Sequence, residues 1–156
     1  MLETANVTLH DSNAIAFFLS NSQLRRDDDL FACSQVLQWM SYVQNHILPM
    51  VYGWVLPSLV SVSEDAKINI KISKADLLCA LRKLDDIMHT RTYLIGERIT
   101  LADISLFTAL LPLYEYVFDP HYRGHYSNIT RWFLTILNQP QVKCVVKNFS
   151  FCTEAI

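Results

Sequence analysis

Glycine and proline are scarce in this 156-residue chain, which has three Gly and five Pro. So few backbone breakers exclude collagen-like, linker-rich and disordered designs. Long apolar runs are missing too. None approaches the roughly 20 residues of a membrane span, so no membrane partner is expected. A basic excess is also lacking: 18% of residues are charged and the formal net charge is -2. That argues against direct nucleic-acid binding. Arg25-Arg26 is followed at once by Asp27-Asp28-Asp29, a mixed cluster that reads as a solvated turn rather than a phosphate site. Cys33, Cys79, Cys144 and Cys152 form neither C-x-x-C nor a Cys/His zinc spacing. Their mostly apolar flanks predict buried free thiols, and free thiols suit the reducing cytoplasm. Met1-Leu2-Glu3-Thr4 offers no charged leader and no apolar core, so a signal peptide is not expected. Without a secretory route the sequons at Asn6, Asn128 and Asn148 are chance matches.

What the chain does have is apolar periodicity. It is 51% hydrophobic and 12% aromatic, and a domain of this size can bury roughly two thirds of its unfolded surface. Val7 to Leu9 reads as one short strand. Asp11 or Ser12 then caps a helix through Ala14, Ile15, Phe17, Phe18 and Leu19. Ser20 to Asp29 reads as a loop. From Leu30 a long helix carries Phe31, Val36, Leu37, Met40, Val43 and Ile47, and Pro49 and Pro57 should kink or break it. Ser61 to Ile72 reads as a polar connection. Leu77, Leu78, Leu81, Leu84 and Met88 then mark one buried stripe. Ile104, Phe107, Leu111, Tyr114 and Phe118 mark another, ended by Asp119-Pro120. Ile129, Trp132, Phe133, Ile136 and Leu137 mark a third, and a short helix over 141–146 follows Pro140. At least five helices with almost no strand signal predict an all-α bundle.

One junction carries several local signals at once. In Ile99-Thr100-Leu101-Ala102-Asp103-Ile104, Thr100 is a good N-cap and Asp103 sits three residues later, as in a capping box. Ile99 and Ile104 have the spacing of a hydrophobic staple. Asp103 also puts negative charge at the positive end of the helix. Thr100 and Asp103 therefore read as structural capping residues, not as a catalytic pair.

Candidates for chemistry are few. Of His10, His46, His89, His121 and His125, only the last two lie four apart, in an expected loop and without an accompanying Glu motif. They read as surface histidines and no metal site is expected. No nucleophile elbow, phosphate loop or dinucleotide fingerprint occurs. Trp39, Tyr42, Trp54, Trp132 and Phe133 fall mostly on helical stripes and read as core, not as a base-stacking platform.

Two segments go beyond this. Tyr93-Leu94-Ile95-Gly96-Glu97-Arg98-Ile99-Thr100-Leu101-Ala102-Asp103-Ile104 resembles the lead into the buried sixth helix of glutathione transferases. Asp11-Ser12-Asn13-Ala14-Ile15-Ala16 resembles the turn opening their third helix. Gln38-Trp39-Met40-Ser41-Tyr42, the run Leu113 to Pro120 and, most specifically, the run Thr130 to Gln141 (Arg131-Trp132-Phe133, then Gln139-Pro140) narrow the likeness. They resemble the gamma-subunit family of eukaryotic translation elongation factor 1 and the related module of some valyl-tRNA synthetases. The resemblance covers about residues 3 to 152.

It implies a helical domain over residues 23–156, preceded over residues 1–22 by one strand and one helix of a thioredoxin-like half. The remainder of that half, with the residue that activates glutathione and the cis-proline that positions it, has no counterpart here, as in a fragment, a truncated gene model or a shortened paralogue. Asp11 and Ser12 match the pair that holds the γ-glutamyl end of glutathione in active relatives. The resemblance thus implies a remnant of a glutathione site, no catalytic residue, no cofactor and no enzyme activity. The implied role is protein docking in the cytoplasmic translation machinery. The implied partners are other elongation factor 1 subunits, in particular the nucleotide-exchange subunits, or tRNA synthetases, with self-association a further expectation. The competing readings are a synthetase docking domain and, more remotely, part of an active transferase.

Overall fold

A computed structural model describes residues 1–5, 7–59 and 64–154, with only the backbone over 64–69. The Asn6 sequon lies outside the described residues. The chain opens with a small antiparallel pair, β1 (Leu2–Glu3) against β2 (Thr8–Leu9), in the register Leu2 to Leu9 and Glu3 to Thr8. The expected lone strand is thus paired. The expectation failed because the two-residue partner is too short to leave a period.

Helix α1 (Ser12–Leu19) is capped by Asp11, whose carboxylate accepts the Ala14 N–H at 2.8 Å. The expected loop 20–29 contains one helical turn, α2 (Ser22–Arg25), capped by Asn21. Asp29 accepts the Phe31 and Ala32 N–H groups and starts α3 (Leu30–Tyr42). A π-helical turn (Val43–Ile47) joins α3 to α4 (Leu48–Leu59). Pro49 accounts for that turn. Its ring would press on the Asn45 carbonyl in a regular helix, and the wider turn lets Leu48 N–H reach Val43 O. The expected break at Pro49 is therefore a local widening, and Pro57 lies within α4.

Helix α5 (Glu64–Met88) begins inside the expected polar connection. Residues 64–72 are helical although their isoleucines, Ile68, Ile70 and Ile72, alternate with polar residues, and residues 61–63 lie outside the described part. Helix α6 (Leu101–Tyr116) runs through the core. Leu106, Leu110 and Leu113 are as buried as Phe107 and Tyr114, so it is apolar on most sides, as a central helix must be. It packs against α3, the π turn, α4 and α8 (Ser127–Leu137). Between them lies α7 (Pro120–His125), capped by Asp119 with Pro120 in the first turn. His121 and His125 are thus helical, not in a loop, because the Asp-Pro pair that stops one helix starts the next. Helix α9 (Pro140–Val145) follows.

The core is rich in stacked rings. Tyr114 and Phe133 stack at 4.0 Å, with Phe107 4.7 Å from Phe133. The C-terminal segment closes over them: Cys152 N–H donates to Tyr114 O at 3.0 Å, and Arg123 Nη1 donates to Phe118 O and Cys152 O. Trp54, Trp132 and Phe133 are buried as expected, whereas Trp39 and Tyr42 are only half-buried. The four thiols are free, but only Cys152 is buried. Cys79 and Cys144 are exposed, because one lies on the outer face of α5 and the other on the short α9.

Candidate functional site

Asp103 is the most heavily hydrogen-bonded carboxylate among the described residues. It is fully buried in the first turn of α6. Its Oδ2 accepts the Thr100 N–H and the Thr100 hydroxyl, both at 2.9 Å. Its Oδ1 accepts Leu94 N–H at 2.9 Å and the Trp132 indole N–H at 3.0 Å. Burial pushes the carboxyl above its ordinary range, against the pull of these donors. The pair Thr100–Asp103 therefore joins three pieces, the loop at Leu94, α6 and α8. Asp103 has no exposed surface, so in this fold its carboxylate offers a substrate nothing to touch.

Asp11 and Ser12 occupy different ground. Both are exposed at the start of α1. Ser12 lines a cleft of about 390 Å³ beside Gln44, Leu101 and Ser105. Asp11 lines a second cleft of about 640 Å³ beside Phe17, Phe18 and Leu37. The two clefts adjoin, since Asn13, Met40 and Gln44 line both, and Asp11 already spends one oxygen on its helix cap. No residue of α1 is fully buried. Phe18 and Leu19 are exposed together with Met1 and Val7, while Ala16 and Phe17 pack on the core. Exposed apolar groups of this kind occur at interfaces and at aggregation-prone sites.

The remaining candidates are surface features. The rings of His121 and His125 lie 4.5 Å apart and both residues are exposed. Among the described residues, no group of three or more His, Cys, Asp or Glu can hold a metal ion. Arg25 makes a bidentate pair with Asp27, which holds the Asp27 carboxyl below its usual range. It also bonds the carbonyls of Phe17 and Ser20, so it ties α1 to α2 and is not a free cation. No described helix is long and apolar enough to cross a membrane.

Sequence reasoning missed Asp85 and Arg131. Asp85 Oδ1 accepts the N–H groups of Asn128 and Ile129, each at 2.9 Å, and caps α8 from α5. Arg131 returns the contact by donating to the carbonyls of Met88 and Arg91. Arg131 enters the sequence reading only within the run Thr130 to Gln141, and the contacts of both residues leave no local signal, because each partner lies more than 39 positions away in the chain.

Residues 47–140 match the family model described as the glutathione S-transferase, C-terminal domain. The chain is 43% identical to elongation factor 1-gamma of Drosophila melanogaster over 148 residues, covering 95% of this chain and 34% of that protein. It is 40% identical to elongation factor 1-gamma of Homo sapiens over 144 residues, covering 92% and 32%. It thus spans about a third of the length of these relatives. Among solved structures, the glutathione-transferase-like domain of elongation factor 1-gamma from Saccharomyces cerevisiae superposes with a TM-score of 0.82 at 22% identity, over 94% of this chain and 70% of that one. Glutathione S-transferase-I bound with lactoylglutathione gives a TM-score of 0.74 at 20% identity, over 93% and 72%. The helical core around α6, the buried Thr100–Asp103 cap and the family match agree: the chain belongs to the glutathione S-transferase C-terminal domain family.

Proposed function

We propose that this chain is a non-catalytic docking module of the translation elongation factor 1 complex, acting in the cytoplasm. The observation that carries the reading is the 43% identity to an elongation factor 1-gamma along 95% of the chain. In this reading residues 1–22 belong to a thioredoxin-like half and residues 23–156 form the helical domain. The partners are other subunits of the complex, in particular those that exchange nucleotide.

The geometry favours docking over transfer chemistry. Conjugation to glutathione requires a group that stabilises the thiolate and a pocket that fixes the peptide. Asp11 and Ser12 are the residues that match the family's peptide-holding pair. Both are exposed at the start of α1, and Asp11 is engaged in its own helix cap. Two such exposed contacts supply at most about 1–3 kcal/mol each, too little to offset the ordering of a flexible tripeptide. Thr100 and Asp103 serve the fold.

Two measurements on the purified chain test this. Calorimetry with glutathione should give no heat of binding, and purified nucleotide-exchange subunits of elongation factor 1 should bind in a pull-down. Tight glutathione binding without capture of those subunits would overturn the docking reading in favour of an enzyme. Capture of a tRNA synthetase alone would move the module to that assembly.

A further inference from the structure

Three helices meet at one ammonium group. Lys74 lies on α5, and its Nζ stands 4.7 Å from the ring centre of Trp54 on α4 and 5.1 Å from that of Tyr122 on α7. The two rings meet edge to face, 5.6 Å apart and inclined at 78°, so they form two walls of a corner around the charge. Both walls are backed by the core. Trp54 is buried, and Tyr122 stacks at 5.5 Å on the buried Phe118. Gly53 and Ser73 let α4 and α5 approach closely, and Trp54 and Lys74 are the next residues along these helices. Lys74 itself is half-buried, so water reaches the corner on one side.

The corner offers this ammonium nothing but π faces. Among the described residues Lys74 has no carboxylate partner and no hydrogen-bond acceptor. It is also the one lysine among them that stands over a ring. An unmodified ammonium has three N–H donors to satisfy, and aromatic faces serve them less well than oxygen does. A methylated ammonium keeps the charge, exchanges N–H donors for apolar C–H groups and suits ring faces better. Aromatic walls are the general means of holding such cations. Acetylation, by contrast, removes the charge and its attraction to the rings.

We propose that Lys74 is a methylation site and that Trp54 and Tyr122 bind its methylated ammonium within the same chain. A lysine methyltransferase working with a sulfonium methyl donor supplies the group. Lys74 swings out through the open side, and a base of the transferase takes one proton from its ammonium. The Nζ lone pair then attacks the methyl carbon of the donor. The C–S bond breaks with its electron pair left on sulfur, a neutral thioether departs, and the positive charge passes to nitrogen. Each further round repeats this after the loss of one more proton. Once the side chain returns, its methyl groups touch both rings and tie α4, α5 and α7 together more firmly. The proposal does not depend on the docking reading above.

The test has two arms. In the chain purified from its own cells, peptide mass spectrometry at high mass accuracy should find Lys74 mono-, di- or trimethylated. An unmodified Lys74, or an acetyl group there, would overturn the modification site. In the second arm the recombinant full chain is dimethylated at its amines with isotope-labelled formaldehyde and a borane reductant, then followed by NMR. The signal missing from Lys74→Arg identifies the Lys74 dimethyl group. Ring currents should shift that signal upfield of the other lysine signals, and Tyr122→Leu should return it part of the way. Thermal melts check that both variants fold, and the wild-type shift remains decisive if Tyr122→Leu does not. A Lys74 signal lying among those of the other lysines would overturn the aromatic binding of the methylated group, whatever the cellular chain carries.

Discussion

The indole N–H of Trp132 donates to Oδ1 of Asp103 at 3.0 Å, so the carboxylate that caps α6 also anchors α8. With Leu94 N–H on the same oxygen and two donors from Thr100 on the other, all the acceptor capacity of the group is used. Removing it would leave four buried donors unpaired. A local cap alone is worth about 1 kcal/mol, but stripping several partners from a buried network costs more. Asp103→Ala should therefore destabilise the domain by about 3–5 kcal/mol, read from urea melts followed by circular dichroism. Asp103→Asn should lose less, since its carbonyl still accepts, yet its amide would face a donor. A loss of only about 1 kcal/mol for Asp103→Ala would show that α8 does not depend on this carboxylate.

The same group sets a pH dependence with a definite sign. Burial raises the Asp103 pKa in the folded state. The folded protein then holds a proton in a window where the unfolded chain, with an ordinary value of about 3.9, has released it. The stability from this group is fully present below the unfolded pKa and is lost as the pH rises through the folded one. Acid should therefore not unfold the domain by protonating Asp103. The Trp132 indole N–H resonance, followed by NMR, should titrate with a midpoint above the ordinary aspartate range. A midpoint below it would mean that the four hydrogen bonds outweigh burial.

The sequence makes some of this plain and hides the rest, for a physical reason. Thr100 and Asp103 are three residues apart, and capping is a local interaction, so spacing alone points to it. The stripes Leu77 to Met88 and Ile129 to Leu137 are visible because one face of each helix is buried and the other is not. The central helix α6 is harder: it is apolar nearly all round, so the stripe named from Ile104 to Phe118 catches Phe107 and Tyr114 but not the equally buried Leu106, Leu110 and Leu113. The first turns of α5 look like a loop because their residues are mostly polar. The Trp132–Asp103 bond spans 29 positions and leaves no local trace.

Gly53 marks a close approach of α4 and α5. A Cβ there would lie 2.4 Å from Ser73 Oγ and 2.9 Å from Ser73 Cβ. The hydroxyl can rotate away, but the Cβ moves only with its helix. Gly53→Ala gains up to about 1 kcal/mol in helix propensity and loses about 1–3 kcal/mol to overpacking. The expected net effect is a loss of about 1–2 kcal/mol, measured by thermal melting. Ser73→Gly takes away both clashing atoms, so the double variant should recover part of that loss. A more stable Gly53→Ala single variant would contradict the close crossing.

Helices α5 and α8 cap one another, and this exchange is open to a stricter test. Helix α8 has no side-chain cap of its own at Tyr126. Asp85 supplies one across the interface, accepting the N–H groups of Asn128 and Ile129 and the Asn128 side-chain amide, each at 2.9 Å. Its negative charge also meets the positive end of α8. About one turn further along, Arg131 donates to Met88 O at the end of α5 and to Arg91 O just beyond it. Asp85→Ala and Arg131→Ala should each cost about 1–2 kcal/mol. Both act on the same pair of helices about one turn apart, so once one contact is lost the other has less to hold. The double variant should therefore lose less than the sum, with a coupling of about 0.5 kcal/mol or more in a double-mutant cycle. Strict additivity in denaturant melts would show two independent caps rather than one shared seam. No effect from Asp85→Ala would mean that α8 starts without help from α5.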